Sequence, residues 1–356
     1  MKRLLTALVL TASLALTGCV RRDPNVITLS YATPYPPGHP FSRADQQWMA
    51  WVEKASRGRL HIRLYWGGSL ISSDQSIEEI RHDVADIGLI TPIYTLGGAH
   101  AQRDQTGFYG GVRTIDQQVA IYKCLAATFP VLRDELKGLR VLAVQGGNLP
   151  AILTRTKTVG RLGDLRGLRI RAPSELLPVL RALGADPVNM PMGDVYPALA
   201  KGVIDGVVAP ADTLQSLHFG EVAPHFAMLY VSRGAYPARA MNMDKWQSLP
   251  PDLRAILTRS EAVWEQALKQ QLISAEKAGY AYGRSHGVSF TRIDPADQAR
   301  FDAIYNREAE ATAASLSKVG IQGLPIFREA QRLIHDTPAD AVPRCTAGAA
   351  PSRQDQ

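Results

Sequence analysis

The sequence predicts an α/β protein of two domains. Three observations carry that prediction. Short alternating strands are followed by helical stripes in a βαβα rhythm, the pattern that stacks helices on a sheet. The chain has 356 residues, enough for two ordinary domains with sizeable cores. One apolar stripe, Leu253, Ile256, Leu257, Trp264, Ala267, Leu268, Leu272 and Ala275, meets no breaker before Gly279. A helix of about 30 residues is about 45 Å long and outreaches a single small domain.

The elements follow in order. Residues 1–18 read as a signal peptide: Lys2 and Arg3 precede an apolar run over 4–16 that is too short to span a bilayer. Leu16-Thr17-Gly18-Cys19 comes next, and 19–25 form a short polar tether with Arg21, Arg22 and Asp23. The alternation over 26–31 predicts the first strand. A proline-rich loop follows over 33–40, and Ser42 with Asp45 resembles a capping box that starts a helix. That helix carries Trp48, Trp51, Val52 and Ala55 and stops near Gly58. Leu60, Ile62 and Leu64 alternate with His61, Arg63 and Tyr65 as the second strand, and Gly67-Gly68 turns the chain. Ile77, Ile80, Val84 and Ile87 mark an amphipathic helix that runs into a strand at 86–90. The glycine-rich stretch 97–111 reads as loop, 115–136 as helix and 139–144 as strand.

The second domain opens near Gly147. Leu168, Ile170 and Ala172 alternate with Arg169 and Arg171, and Pro173 ends that strand. Ser174 is placed to cap the helix bearing Leu176, Leu177, Leu180 and Leu183, which Gly184 stops; Pro178 is a local cost near its start. Further strands are predicted at 203–209 and about 228–232, with a helical stretch over 212–219 between them. Residues 317–335 close the fold, and 337–356 reads as a disordered tail.

Composition narrows the function. Hydrophobic residues make up 46% and charged residues 21%, a globular balance. The formal charge of +7 is scattered without a long basic run, which argues against a nucleic-acid partner. Zinc-protease, serine-hydrolase and P-loop motifs are all missing, and the eight histidines have no metal-ligand spacing. Neither catalysis nor a cofactor or metal is expected. After Cys19 the only cysteines are Cys124 and Cys345. Export allows them to bridge, while Cys124 also fits a small buried apolar residue in its helix; the sequence leaves both open.

Arg171 sits where a strand gives way to a helix, and ligands of open α/β sheets bind at the carboxyl ends of strands. A guanidinium there offers a carboxylate two parallel hydrogen bonds.

The run from Asp164 to Pro210, with IRAP, LGADPVNMP, DVYPALAKG and VIDG in order, resembles the solute-binding proteins of tripartite ATP-independent periplasmic (TRAP) transporters, of DctP type. YATPYPPGHPFSRADQQW, LYWGGSL and VADIG extend the resemblance, which covers the chain from about Ile27 to Ile334. It implies a periplasmic-binding-protein-like (type II) two-lobe fold with hinge strands and a long bridging helix. The lobes implied are 26–148 plus 237–278, and 149–236 plus 279–336.

The resemblance also implies extracytoplasmic capture of a small organic acid by lobe closure and delivery to TRAP permease subunits. A ligand-binding partner of a membrane sensor is the alternative. Arg171 matches the family's carboxylate-binding arginine. Ser174, Met192, Tyr196 and Asn242 match recurrent pocket positions, and Thr33, Tyr35, Asp74 and Thr91 fall where the first lobe faces the pocket. Asp212 adds an acceptor for a ligand hydroxyl or amine. Leu-Thr-Gly-Cys resembles a lipobox, implying cleavage before Cys19, a lipid on it, and a membrane-anchored periplasmic protein. Three positions depart from the pattern: Asp194 stands for Glu, Ala209 for a frequent Asn, and Ala151 for the second arginine of sialic-acid-type members.

Overall fold

Residues 25–95, 97–338 and 341–345 are described by a computed structural model of the chain. The signal segment, Cys19 and the tether up to residue 24 lie outside the described residues, as do 346–356 of the tail.

The first half builds one sheet. Its elements are β1 (Ile27–Ala32), α1 (Pro40–Ala55), β2 (Leu60–Tyr65), α2 (Ser76–Arg81), β3 (Ile87–Leu89), α3 (His100–Asp104), α4 (Ile115–Thr128), α5 (Pro130–Asp134) and β4 (Leu139–Gln145). β1 pairs in parallel with β2 and β3. The helix α1 starts at Pro40, with His39 Nδ1 accepting from Phe41 N–H at 3.2 Å. Ser42 and Asp45 therefore lie on its buried inner face and do not cap it. The stretch 97–111, expected as loop, folds the short helix α3 and a following 3₁₀ turn. The expected helix 115–136 breaks at Pro130, where the missing N–H ends one hydrogen-bond ladder and opens the next.

The second half builds another sheet from β5 (Ala151–Thr154), β6 (Arg169–Arg171), α6 (Leu177–Ala182), β7 (Asp186–Val188), α7 (Val195–Ala200), β8 (Gly206–Ala209), α8 (Thr213–Ser216), α9 (Phe219–Val222) and β9 (His225–Met228). Pro178 falls in the first turn of α6, where its missing N–H costs nothing. The expected strand near 228–232 forms three residues earlier, paired to β5.

The chain then returns. β10 (Tyr236–Asn242) inserts antiparallel between β3 and β4, giving the order β2-β1-β3-β10-β4. After α10 (Met243–Ser248) comes α11 (Pro251–Ser285), 35 residues long. Its first two-thirds bury Leu253, Leu257, Trp264 and Leu268 against α1 and the first sheet. Its last turns bring Tyr280 and Tyr282 to the second core. Gly279 makes that crossing possible, since a Cβ there would stand 2.0 Å from Ala211 O and 2.8 Å from Asp212 Cα. Gly279→Ala is expected to cost about 1–3 kcal/mol by overpacking. Urea unfolding measures it, and a loss under about 0.5 kcal/mol would mean that α11 is free to slide.

β11 (Ser289–Arg292) completes the order β11-β9-β5-β8-β6-β7. The helices α12 (Pro295–Ser315) and α13 (Gly323–His335) correct the expected division, which put all of 279–336 in the second lobe. Phe301 and Tyr305 of α12 join the second core, but Ala309 and Ala313 join α4. Ile326, Phe327, Ala330 and Leu333 of α13 pack on Ile121 and Leu125, so this apolar face belongs to the first half.

The expected disordered tail is corrected over 341–345. Cys345 is disulfide-bonded to Cys124 of α4, and Gln117 Nε2 donates to Ala341 O at 3.1 Å. Cys345→Ser is expected to lower stability by about 2–4 kcal/mol. The same loss should follow from dithiothreitol on the parent protein and be absent from the variant.

Candidate functional site

β6 ends at Arg171, whose side chain turns into the space between the two sheets and is 1% exposed. Nε donates to Met190 O at 3.0 Å, and Nη2 donates to Tyr94 OH at 2.6 Å. The guanidinium carbon lies 5.3 Å from the centre of the Tyr94 ring. Tyr94 belongs to the 3₁₀ turn after β3, so this bond crosses between the halves. Ser174 makes a second crossing, its Oγ donating to Ile93 O at 2.8 Å. Among the described residues, Nη1 of Arg171 has no hydrogen-bond partner.

The space it faces is a cavity of about 70 Å³. Its first-half wall is aromatic: Tyr35 stacks on His39 with ring centres 4.1 Å apart, and Phe41 meets both edge-on. Burial drives the His39 pKa down to about 3, so the imidazole is neutral and Nδ1 stays an acceptor. Burial likewise raises the Tyr35 phenol well above its ordinary value, and that of Tyr236 to about 12. Both are neutral walls at physiological pH.

The polar groups come from the second half and the connecting segments. Asp212, buried at the start of α8, accepts from Asn148 Nδ2 at 3.1 Å, and Asn148 also donates to Leu272 O of α11 at 2.8 Å. Burial raises the Asp212 pKa, and the Asn148 hydrogen bond works against that rise. Glu175, in the turn after Arg171, is half-buried, but its Oε2 is sealed off without a hydrogen-bond partner. Burial pushes its carboxyl up to about 7 against the pull of Arg233 and Arg171. Arg233 precedes β10 and contributes a second guanidinium to the lining, packed over Gly147. No described residue hydrogen-bonds or ion-pairs with it.

Of the residues singled out from sequence, Arg171, Met192, Tyr35 and Asp212 line this cavity, and Ser174 closes its edge. The others are not in its lining. Thr33 Oγ1 accepts from Tyr35 N–H at 3.4 Å and shapes the loop beneath the aromatic wall. Thr91 Oγ1 donates to Ser73 O, and Thr91 N–H donates to Ser76 Oγ, which ties β3 to α2. Asp74 is half-buried in the loop before α2, away from the cavity lining. Tyr196 packs its ring on the second core, and its OH donates to Glu221 at 3.0 Å. Asn242 caps α10 by accepting from Lys245 N–H at 2.9 Å and donates to Ile80 O and Arg81 O.

His39, Phe41, Tyr94, Asn148, Glu175, Arg233 and Tyr236 line the cavity without having been singled out. The one local signal was position: Glu175 adjoins Ser174, and His39 and Phe41 flank the start of α1.

Comparison with known proteins follows the same lines. The C4-dicarboxylate-binding periplasmic protein DctP of Rhodobacter capsulatus is 26% identical over 275 residues, 73% of this chain and 78% of that protein. The crystal structure of a TRAP solute-binding protein from Rhodoferax ferrireducens, in complex with copurified benzoate, superposes with a TM-score of 0.80. It is 25% identical and covers 87% of this chain and 98% of its own. A marine metagenome TRAP solute-binding protein specific for aromatic acid ligands, with metahydroxyphenylacetate bound, superposes at 0.78 with 23% identity. It covers 87% of this chain and 99% of its own, and shows the shared type II two-lobe fold. The family model for bacterial extracellular solute-binding proteins, family 7 (DctP), matches residues 129–315, just over half of the sequence. The chain belongs to that family, and is a solute-binding transport protein rather than an enzyme.

Proposed function

We propose that this protein captures a small organic acid by its carboxylate in the cavity between the lobes and hands it to a TRAP-type membrane permease. The carrying observation is the Arg171 guanidinium, which lines the cavity, is buried and held from two sides, and has no partner on Nη1 among the described residues. A carboxylate there meets a pre-oriented donor in a site shielded from water, where charge-assisted hydrogen bonds are strongest. Arg233 is a second donor for the same anion, and the aromatic wall accepts a flat or compact apolar body. The benzoate found with the Rhodoferax relative supports that choice of chemistry.

Four segments join the lobes: 146–150, 229–235, α11 and α12. These tethers favour one hinge axis, so capture is closure about that axis. Arg171–Tyr94 and Ser174–Ile93 are the contacts made on closing. The lobes read as 26–148 plus 237–278 and 149–236 plus most of 279–315. The signal peptide, the lipid on Cys19 and a periplasmic, membrane-anchored location complete the proposal. No described helix is long and apolar enough to cross a membrane. A permease is favoured over a sensor as partner because the solved relatives are TRAP components.

A thermal-shift screen of carboxylic acids against their uncharged amides tests the reading. A true acid ligand at 100 times its Kd stabilises by about 2.7 kcal/mol. Equal shifts from benzoate and benzamide, or from any acid and its amide, would overturn the carboxylate clamp.

A further inference from the structure

Glu175 poses a problem that the carboxylate clamp does not solve. A buried carboxyl oxygen without a donor costs about 1–3 kcal/mol, and such groups in a native fold are few. Glu175 Oε2 is one of these, in a residue that lines the ligand cavity four positions after Arg171. The other cavity carboxyl, Asp212, has its donor in Asn148 at 3.1 Å. Glu175 packs closely on Gly107, where an added Cβ would stand 3.1 Å from its own Cβ.

Building on the carboxylate-capture reading, we infer that the natural solute is a hydroxy acid, whose hydroxyl donates to Glu175 Oε2 while its carboxylate is held by Arg171. The hydroxyl supplies the missing partner, and both protonation states of a carboxyl keep an acceptor oxygen for it. An ammonium group is the poorer fit. Arg171 and Arg233 both act on Glu175 and repel a third cation, and burial that lifts this carboxyl to about 7 disfavours a permanent ion pair. A site built around a substrate hydroxyl rejects the analogue that lacks it, because its own polar group is then left bare.

The test uses two matched sets on the signal-cleaved protein: propionate, lactate and alanine; and phenylacetate, mandelate and phenylglycine. Binding is measured by calorimetry. In at least one set the hydroxy acid is expected to bind tenfold or more tightly than both its deoxy and its amino counterpart. Glu175→Ala is expected to abolish that preference, and Glu175→Gln, which keeps an acceptor of the same shape, to retain most of it. Circular dichroism of both variants establishes that they fold. Equal affinity of hydroxy and deoxy acids, tightest binding of the amino acid, or a hydroxyl preference that survives Glu175→Ala would each overturn the inference. The two readings fail differently. If hydroxy and deoxy acids bind alike and Arg171→Ala abolishes both, the carboxylate clamp stands and the hydroxyl contact falls. If binding survives Arg171→Ala, the clamp itself falls.

Discussion

Arg171→Ala is expected to weaken binding of the acid ligand by between about 30-fold and several thousand-fold, the range of about 2–5 kcal/mol for removing one partner of a buried hydrogen-bonded charge pair. Arg171→Lys is expected to fall between that variant and the parent. It keeps the charge but offers a point donor where the guanidinium offers a planar fork. It also has no equivalent of the present division of labour, with Nε on Met190 O, Nη2 on Tyr94 OH and Nη1 free. Calorimetry on variants shown to be folded reads the effect. Binding of the lysine variant at parental strength would show that charge alone suffices and that the fork is incidental.

The second large effect is on stability. Asp45→Ala is expected to destabilise the protein by about 3–5 kcal/mol. Asp45 and Arg239 are both fully buried and paired at 2.8 Å between α1 and β10. Burial opposes the charge on Arg239, and Asp45 together with Tyr31 and Tyr236 more than restores it, so the guanidinium is held ionised in the core. Asp45 also accepts from Trp264 Nε1 at 2.8 Å and from Tyr31 OH. Removing it leaves a buried cation without its counter-ion, held only by Gln145 and Ala238 O, and two bare donors beside the stacked Trp48 and Trp264 rings. As a control, Arg59→Ala breaks only the exposed pair with Asp252 and is expected to cost less than about 1 kcal/mol. Urea unfolding of the two variants compares them directly. Equal losses would mean that the buried pair is no more than a surface bridge.

The elements most legible in the sequence were those whose burial is one-sided and continuous. The stripe from Leu253 to Ala275 gave α11, and the alternation before Pro173 gave β6 with Arg171 at its end. Strands buried on both faces were less visible. β5 and β10 carry no polar face to alternate with, and in β10 the buried Arg239 breaks the apolar run. Helix α12 was missed because its buried positions change character along its length, Phe301, Ile304 and Tyr305 giving way to Ala309 and Ala313. The site divided along similar lines. Arg171 could be read from its strand end alone. Glu175 and Arg233 could not, because their meaning depends on segments some sixty residues apart being brought to one cavity. Asn242 and Thr91 have polar side chains that the backbone claims first, as a cap and as a strand-to-helix tie.

One covalent link has a consequence for biogenesis. Cys124 finds its partner 221 residues later, about ten positions beyond the last described helix. The thiol on α4 is therefore synthesised long before its partner. Oxidation then fastens the end of the chain to an element made early in synthesis. A nascent copy arrested short of Cys345 lacks this lock, and any small disulfide that exchanges with Cys124 first, releasing one of its own thiols, would leave a mixed disulfide there.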